Sequence, residues 1–416
     1  MFFIYGILTN ILFLLSPIIF LFRILKKKED INRFQEKYCI YSRKNFQRTI
    51  WFHAVSVGEL MSIIPVVKKL EKNKKVKKII VTSSTTSSAK IFKNQKFKKT
   101  IHKFFPLDTN FLTKKFIDFW KPQVAIFVDS EIWPNMIRNL EKNQIPIVLL
   151  NARFTRSSFK KWLIVKSFAK EIFNKISIAL PQNTETKKYL KILGIKKIIP
   201  AGNIKYYGEK ILLSKRNLEL FRKFKKFKIL CAGSTHDAEE ILVSKLHIEL
   251  KKYLPNLLTV IIPRHINRSE NIINDLNKFK LNVVKHSMKQ KISKKTDIYF
   301  VDTFGETKNF YNLSNIAFLG GSIVNHGGQN PLEATRYGCK ILHGPHVENF
   351  NEIYNYLRNL KISTKVKDHS QLSIKLDKLL TQKNKSKKIQ NKLNKIGDKI
   401  LNDTYNEIYQ FIKNEN

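Results

Sequence analysis

The chain has 416 residues, of which 43% are hydrophobic and 12% aromatic, including 30 phenylalanines. At roughly 100–200 residues per domain this is two or three domains, and so much apolar material excludes wholesale disorder or a small scaffold that needs staples. Lys and Arg number 77 against 32 Asp and Glu, a formal net charge of +45. The excess points either to a polyanionic partner or to a lysine-rich habit of the source genome, and its even spread along the chain fits the second better. Cys39, Cys231 and Cys339 are far apart and form no C-x-x-C, which argues against a disulfide framework or zinc knuckle and for a reducing compartment.

Met1 to Phe22 carry no charged side chain; as a helix they extend ~33 Å, enough for a bilayer core. Arg23, Lys26, Lys27 and Lys28 close the run with no cleavage-type sequence after it, so residues 1–25 read as an uncleaved anchor helix with everything beyond Leu25 in the cytosol. Asn10 and Pro17 interrupt the run, so a helix lying in the membrane interface stays open beside one that crosses.

Short β-rich apolar runs then alternate with amphipathic stretches, the signature of βαβ units around parallel sheets. Predicted strands are Thr49–Val55, Lys78–Thr85, Gln123–Ser130, Pro146–Asn151, Ile176–Pro181 and Lys197–Ala201, followed by Phe227–Ala232, Leu258–Pro263, Asp297–Asp302, Ile316–Gly320 and Lys340–Gly344. A charged helical connector, Tyr206–Phe227, separates the two series. The expected organisation is a 26–206 domain, a 207–382 domain, both doubly wound α/β, and a helical tail 383–416 with apolar positions Ile389, Leu393, Ile396, Ile400 and Leu401.

In open parallel sheets ligands bind beyond the carboxyl ends of the strands. The loop after the first strand, His53-Ala54-Val55-Ser56-Val57-Gly58-Glu59, puts Glu59 at the opening of a helix Leu60–Leu70, where the helix dipole favours a carboxylate and hence a base. First-turn glutamates also serve merely to complement that dipole. Asp129-Ser130-Glu131-Ile132-Trp133-Pro134 brings two further acids to a strand end, with Pro134 near a helix start. Gly202-Asn203-Ile204-Lys205 closes the last strand of the first half with a lysine.

The second half carries Gly233-Ser234-Thr235-His236-Asp237, Pro263-Arg264-His265, Gly305-Glu306-Thr307 and the run Gly320 to Glu333 with four glycines. Glycine-rich turns that expose backbone N–H groups suit phosphate, as does Arg264. Asn330 reads as an N-cap, Pro331 as the first helical residue, and Glu333 as an acceptor for vicinal ribose hydroxyls. No zinc-ligand spacing, G-x-S-x-G elbow, G-x-x-x-x-G-K-[ST] loop or G-x-G-x-x-G fingerprint appears, which disfavours metallohydrolase, serine hydrolase, ATPase and dehydrogenase readings.

In order along the chain, W-F-H-A-V-S-V-G-E (51–59), E-I-W-P-N (131–135), N-A-R (151–153), Q-N (182–183), G-N-I-K (202–205), S-T-H (234–236), P-R-H (263–265), D-T-F-G-E (302–306), G-G-S (320–322), H-G-G-Q-N-P-L-E (326–333) and G-P-H (344–346) resemble the motifs of the 3-deoxy-D-manno-octulosonic acid (Kdo) transferases. The resemblance runs through nearly the whole chain. It implies a GT-B architecture, two Rossmann-like halves facing a cleft, acting without metal or bound cofactor. It implies Glu59 as general base, Glu131 and Lys205 as transition-state stabilisers, and a seat for the CMP of CMP-Kdo at Pro263, Arg264, Gly305, Glu306, Thr307, Asn330, Pro331, Leu332 and Glu333. Asp129 stands where the family usually has glutamate, and Thr307 where a larger apolar residue is usual.

The resulting expectation is an inner-membrane glycosyltransferase, cytosolic in its catalytic domains, moving Kdo from CMP-Kdo to a lipid A precursor on an anionic bilayer, with no nucleic-acid partner. The rivals are a GT-B-like nucleotide-sugar epimerase or UDP-sugar transferase and, outside enzymes, a basic membrane- or nucleic-acid-binding protein. The latter calls for charge on one face with aromatic stacking positions, which the dispersed lysines do not supply.

Overall fold

A computed structural model describes residues 1–42, 48–208, 219, 222–382 and 386–413. The chain divides into two compact units, Met1–Tyr207 with Gly397–Asn416, and Gly208–Ile396. Most of the predicted connector 206–227 lies outside the described residues; Arg222 to Phe224 are helical.

The first unit holds a six-stranded parallel sheet built from β1 (Thr49–His53), β2 (Lys78–Ser83), β3 (Thr100–Phe104), β4 (Pro122–Val128), β5 (Ile147–Ala152) and β6 (Ile178–Pro181), in the order β3-β2-β1-β4-β5-β6. Every residue of β1 and β5 is buried, as a strand covered by helices on both faces requires. Trp51, Phe116, Trp120, Phe127 and Phe173, all buried, belong to one core cluster.

The second unit holds seven parallel strands, β7 (Lys228–Thr235), β8 (Leu257–Pro263), β9 (Val283–Lys285), β10 (Ile298–Phe300), β11 (Ile316–Leu319), β12 (Lys340–His343) and β13 (Ser363–Lys365), in the order β13-β12-β11-β7-β8-β10-β9. Separate clusters of buried side chains around Leu246, Phe300 and Leu372, and around Phe310, Tyr299 and Tyr354, fill it.

Three strands, β3, β9 and β13, were not expected from sequence, and each is a sheet edge. Thr-Ile-His-Lys-Phe and Ser-Thr-Lys are polar where one side of the ladder meets solvent, and Val283–Lys285 is too short to stand out. Conversely, the predicted strand Lys197–Ala201 is reduced to one bridge, Ala179 to Ile198. Lys205 therefore sits in a 3-10 turn, Ile204–Tyr206, and does not close a strand.

The apolar N-terminus is one helix, Phe2–Leu25. Its contacts with the first unit run from end to end: Phe2 meets Phe168 edge-on at 5.0 Å, Tyr5 Oη donates to Asp108 Oδ2 at 2.8 Å, Phe13 and Phe20 pack on Tyr38, and Arg23 pairs with Glu29 at 2.9 Å. The opposite face, with Phe3, Leu8, Leu14 and Phe22, is exposed. The tail is a helix, Ser386–Lys413, with Ile389, Leu393, Ile400 and Leu401 buried. Its residues divide between the two units. Gly397 lets it pass Tyr207, whose Cα would lie 2.7 Å from any added Cβ.

Candidate active site

Strand order in the first sheet reverses between β1 and β4, and at such a switch point the loops leave in opposite directions and open a crevice. The register pairs His53 with Phe127, so the segments bearing Glu59 and Asp129 to Glu131 start side by side. The helix after β1 begins earlier than expected, at Val57, with Ser56 as N-cap. Glu59 is thus its third residue and caps the helix start as in a capping box, except that its carboxylate reaches the backbone N–H of Val55, one residue before the N-cap. Ser56 Oγ accepts from Glu59 N at 3.3 Å and donates to Glu59 Oε1 at 2.7 Å; Val55 N donates to Glu59 Oε2 at 2.8 Å. The capping role and an oriented carboxylate are one geometry.

After β4 the backbone turns through Asp129 at φ +65°, a left-handed conformation that aspartate tolerates. Trp133 Nε1 donates to Glu131 Oε2 at 2.9 Å, and Pro134 opens the next helix as expected. Burial pushes the Asp129 carboxyl up to about 6; Glu59 adds to this, while Lys205 and Arg153 oppose it. Burial likewise pushes Glu131 up to about 7, reinforced by Glu59 and Asp129 and opposed by the Trp133 hydrogen bond. Three acids and two cations, Lys205 and Arg153, thus share one electrostatic neighbourhood.

Lys205 is brought there by a polar ladder across three loops. Gln182 Nε2 donates to Asn151 O at 2.8 Å, Asn203 Nδ2 to Gln182 Oε1 at 3.0 Å, Ile204 N to Asn151 Oδ1 at 3.0 Å, and Lys205 N to Asn203 Oδ1 at 2.9 Å. The N-A-R, Q-N and G-N-I-K motifs are one construction.

In the second sheet the order reverses between β7 and β11. Here a residue not singled out from sequence is central. Glu239, 1% exposed, accepts at Oε2 from His236 N (2.9 Å) and Gly321 N (2.7 Å), and at Oε1 from Ser322 N (3.1 Å) and Ile323 N (3.0 Å). The N–H groups expected to cradle phosphate at Gly321 and Ser322 are therefore already taken by a carboxylate of the protein. Gly320 is needed for the close approach, since a Cβ there would lie 2.3 Å from Ser234 O. The only advance sign was the acidic pair Glu239-Glu240 just beyond S-T-H.

Of the expected donor residues, Pro263 ends β8 and is buried, while Arg264 is exposed and its N–H donates to Thr235 O at 3.0 Å. Gly305 has φ +86° with open space where a Cβ would be, Glu306 accepts from Asn309 Nδ2, and Thr307 begins a helix, Thr307–Leu313. Asn330 is exposed and accepts from Leu332 N at 3.1 Å, so the short helix Leu332–Arg336 starts one residue later than expected, with Pro331 as its N-cap. Pro331 and Leu332 are buried; Asn330 and Glu333 keep polar side chains that are not. His236, His265 and His326 cluster at these strand ends, with ring centroids 4.2 Å apart for His236–His326 and 6.1 Å for His236–His265.

Two parallel α/β units, each with polar, charged switch-point loops, give the chain a GT-B-type fold. Solved structures agree on the fold: a glycosyltransferase from Rickettsia africae aligns with TM-score 0.56 at 15% identity over 90% of this chain and 100% of its own, and a UDP-N-acetylglucosamine 2-epimerase from Listeria monocytogenes with 0.55 at 13% over 89% and 98%. The 3-deoxy-D-manno-octulosonic-acid transferase (kdotransferase) family profile matches residues 32–207. The 3-deoxy-D-manno-octulosonic acid transferase of Rickettsia bellii is 33% identical over 89% of this chain and 90% of its own length, and that of Haemophilus influenzae 31% over 84% of each. The chain belongs to the 3-deoxy-D-manno-octulosonic acid (Kdo) transferase family.

Proposed function

We propose that this protein transfers Kdo from CMP-Kdo to a lipid A precursor, lipid IVA, with Glu59 as general base and without a metal ion. An acceptor hydroxyl oxygen attacks the anomeric carbon of Kdo, its proton passes to Glu59, and the bond to the CMP phosphate breaks with the electron pair leaving on phosphate. Lys205 and Glu131 stabilise charge in the transition state. Arg264, the Gly305–Thr307 turn and the Asn330–Glu333 turn of the second unit hold the CMP. The observation that carries this reading is the fixed Glu59 carboxylate, oriented at both oxygens and electrostatically joined to Asp129 and Glu131, with Lys205 acting on Asp129.

The bilayer contact is the exposed face of the helix Phe2–Leu25. A helix held to one globular unit from Phe2 to Arg23 lies along that unit, so we read it as an interfacial anchor on the cytosolic face of the inner membrane, with Lys26, Lys27 and Lys28 against anionic headgroups.

The decisive experiment is incubation of purified protein with CMP-Kdo and the tetraacylated lipid A precursor in the presence of a chelator, read by mass spectrometry, beside a Glu59→Gln sample. Product gains the mass of Kdo with wild type only, while both proteins bind CMP-Kdo. Full activity in Glu59→Gln removes the base; loss of wild-type activity on chelation removes the metal-free mechanism. Turnover of a UDP-sugar without lipid acceptor selects the epimerase-like alternative.

A further inference from the structure

We infer that His53, which lies outside the proposed catalytic set, is a positioning residue that holds a proton on Glu131 Oε2, so that Glu131 enters the transfer as a neutral acid offering Oε1 to substrate. The inference rests on the proposed Kdo transfer for its purpose and on hydrogen-bond logic for its geometry.

Thr82 Oγ1 fixes the tautomer. Trp51 Nε1, a donor only, gives its hydrogen to Thr82 Oγ1 at 2.9 Å, and Thr82 Oγ1 donates its own to Phe52 O at 3.3 Å. The remaining contact, His53 Nδ1 to Thr82 Oγ1 at 3.0 Å, is then filled only if Nδ1 carries the hydrogen. Burial with no exposed surface drives the imidazole down to about 3, so the ring is neutral and Nε2 is a bare lone pair. That atom is buried without a hydrogen-bond partner. Its ring is clamped against Phe105 at 3.9 Å between centroids, which leaves Nε2 facing Glu131 Oε2 at 3.8 Å.

An ionised Glu131 would set an anionic oxygen against that lone pair. A protonated one donates to it after a small side-chain rotation, and catalytic hydrogen bonds often tighten this way when substrate binds. Burial and the acids Glu59 and Asp129 favour the same state; the Trp133 N–H, which opposes it, can still be accepted by a hydroxyl oxygen. Lys205 acts on Asp129. Kdo brings its own carboxylate and CMP its phosphate, so removing one negative charge from the acidic cluster lets the donor approach while Glu59 remains the base. Paired acids with divided roles are a recurrent solution.

The test combines spectroscopy with kinetics. The expected infrared result is a protonated-carboxyl carbonyl stretch in the wild type minus Glu131→Gln difference spectrum, which separates it from buried Asp108, also pushed up to about 7, and which weakens or moves in His53→Phe as its hydrogen bond is lost. In Glu131→Gln the amide N–H donates to His53 as the acid does, so its kcat exceeds that of Glu131→Ala by about tenfold. Wild-type kcat declines as pH rises through about 7, a decline missing in Glu131→Gln. His53→Gln, whose carbonyl oxygen accepts a proton, recovers part of the kcat lost in His53→Phe, with KM for CMP-Kdo the same in both. Absence of the protonated-carboxyl band, its indifference to His53→Phe, or a Glu131→Gln variant as damaged as Glu131→Ala overturns the inference. Should wild type not transfer Kdo, the proposed function fails, while the infrared comparison still decides the His53–Glu131 relationship.

Discussion

Ser56 Oγ donates to Glu59 Oε1 at 2.7 Å and accepts from Glu59 N at 3.3 Å, so the residue that starts the helix also aims the carboxylate. On the proposed role of Glu59 as base, one hydroxyl couples stability to catalysis. Ser56→Ala costs on the order of 1 kcal/mol of unfolding free energy and lowers kcat by freeing one carboxylate oxygen. Denaturant unfolding and Kdo-transfer assays on the same preparation check both. A variant with lowered stability and intact kcat would show that the orientation of Glu59 does not matter.

Glu59→Gln is expected to reduce turnover by about 10²–10⁴-fold with CMP-Kdo affinity retained. The segments proposed to hold the donor belong to the other unit, Gly208–Ile396, and equilibrium binding of CMP-Kdo to the variant separates the two effects.

Glu239→Ala leaves the N–H groups of His236, Gly321, Ser322 and Ile323 without their acceptor. At about 1–3 kcal/mol for each buried orphan donor, even partial rehydration costs several kcal/mol. Calorimetry should show the loss in the unfolding of the second unit, accompanied by weaker CMP-Kdo binding.

Burial in the folded protein pushes the Asp129 and Glu131 carboxyls up to about 6 and about 7, against about 4 in an unfolded chain. Between those values the folded state holds more protons, so stability is greatest below about pH 4 as far as these groups decide it, falls as pH rises, and levels above about 7. Asp129→Asn removes its share of that decline and gains at most about 3 kcal/mol relative to wild type at about pH 8, but not near pH 4. Thermal unfolding across pH measures the difference.

Phe3 and Leu14, 79% and 74% exposed, sit on the outward face of the N-terminal helix. Phe3→Asp and Leu14→Asp should each weaken binding to anionic vesicles without changing the unfolding midpoint. Neutralising Lys26, Lys27 and Lys28 should remove salt-dependent affinity of ~1 kcal/mol per lysine. Cysteines introduced at positions 1 and 25 should label from the same side of sealed vesicles; labelling from opposite sides marks a helix that crosses.

The central strands were legible because burial on both faces forces a continuous apolar run, as in Ile50-Trp51-Phe52 and Val124 to Val128. The loops at the strand ends were legible too, because parallel topology sends each of them to the same edge. The edge strands β3, β9 and β13 were not, since a half-solvated ladder imposes no such pattern on its residues.

Composition, apolar periodicity and the ordered motifs by themselves fixed two α/β units, an apolar N-terminal helix and the identity of the acids at the strand ends. Only the tertiary structure decided which groups act on one another. His53 and Glu131 are 78 positions apart in sequence, and Glu239 is 82 from Gly321. Hydrogen-bond partners, burial and the resulting protonation states depend on distances that chain order does not encode.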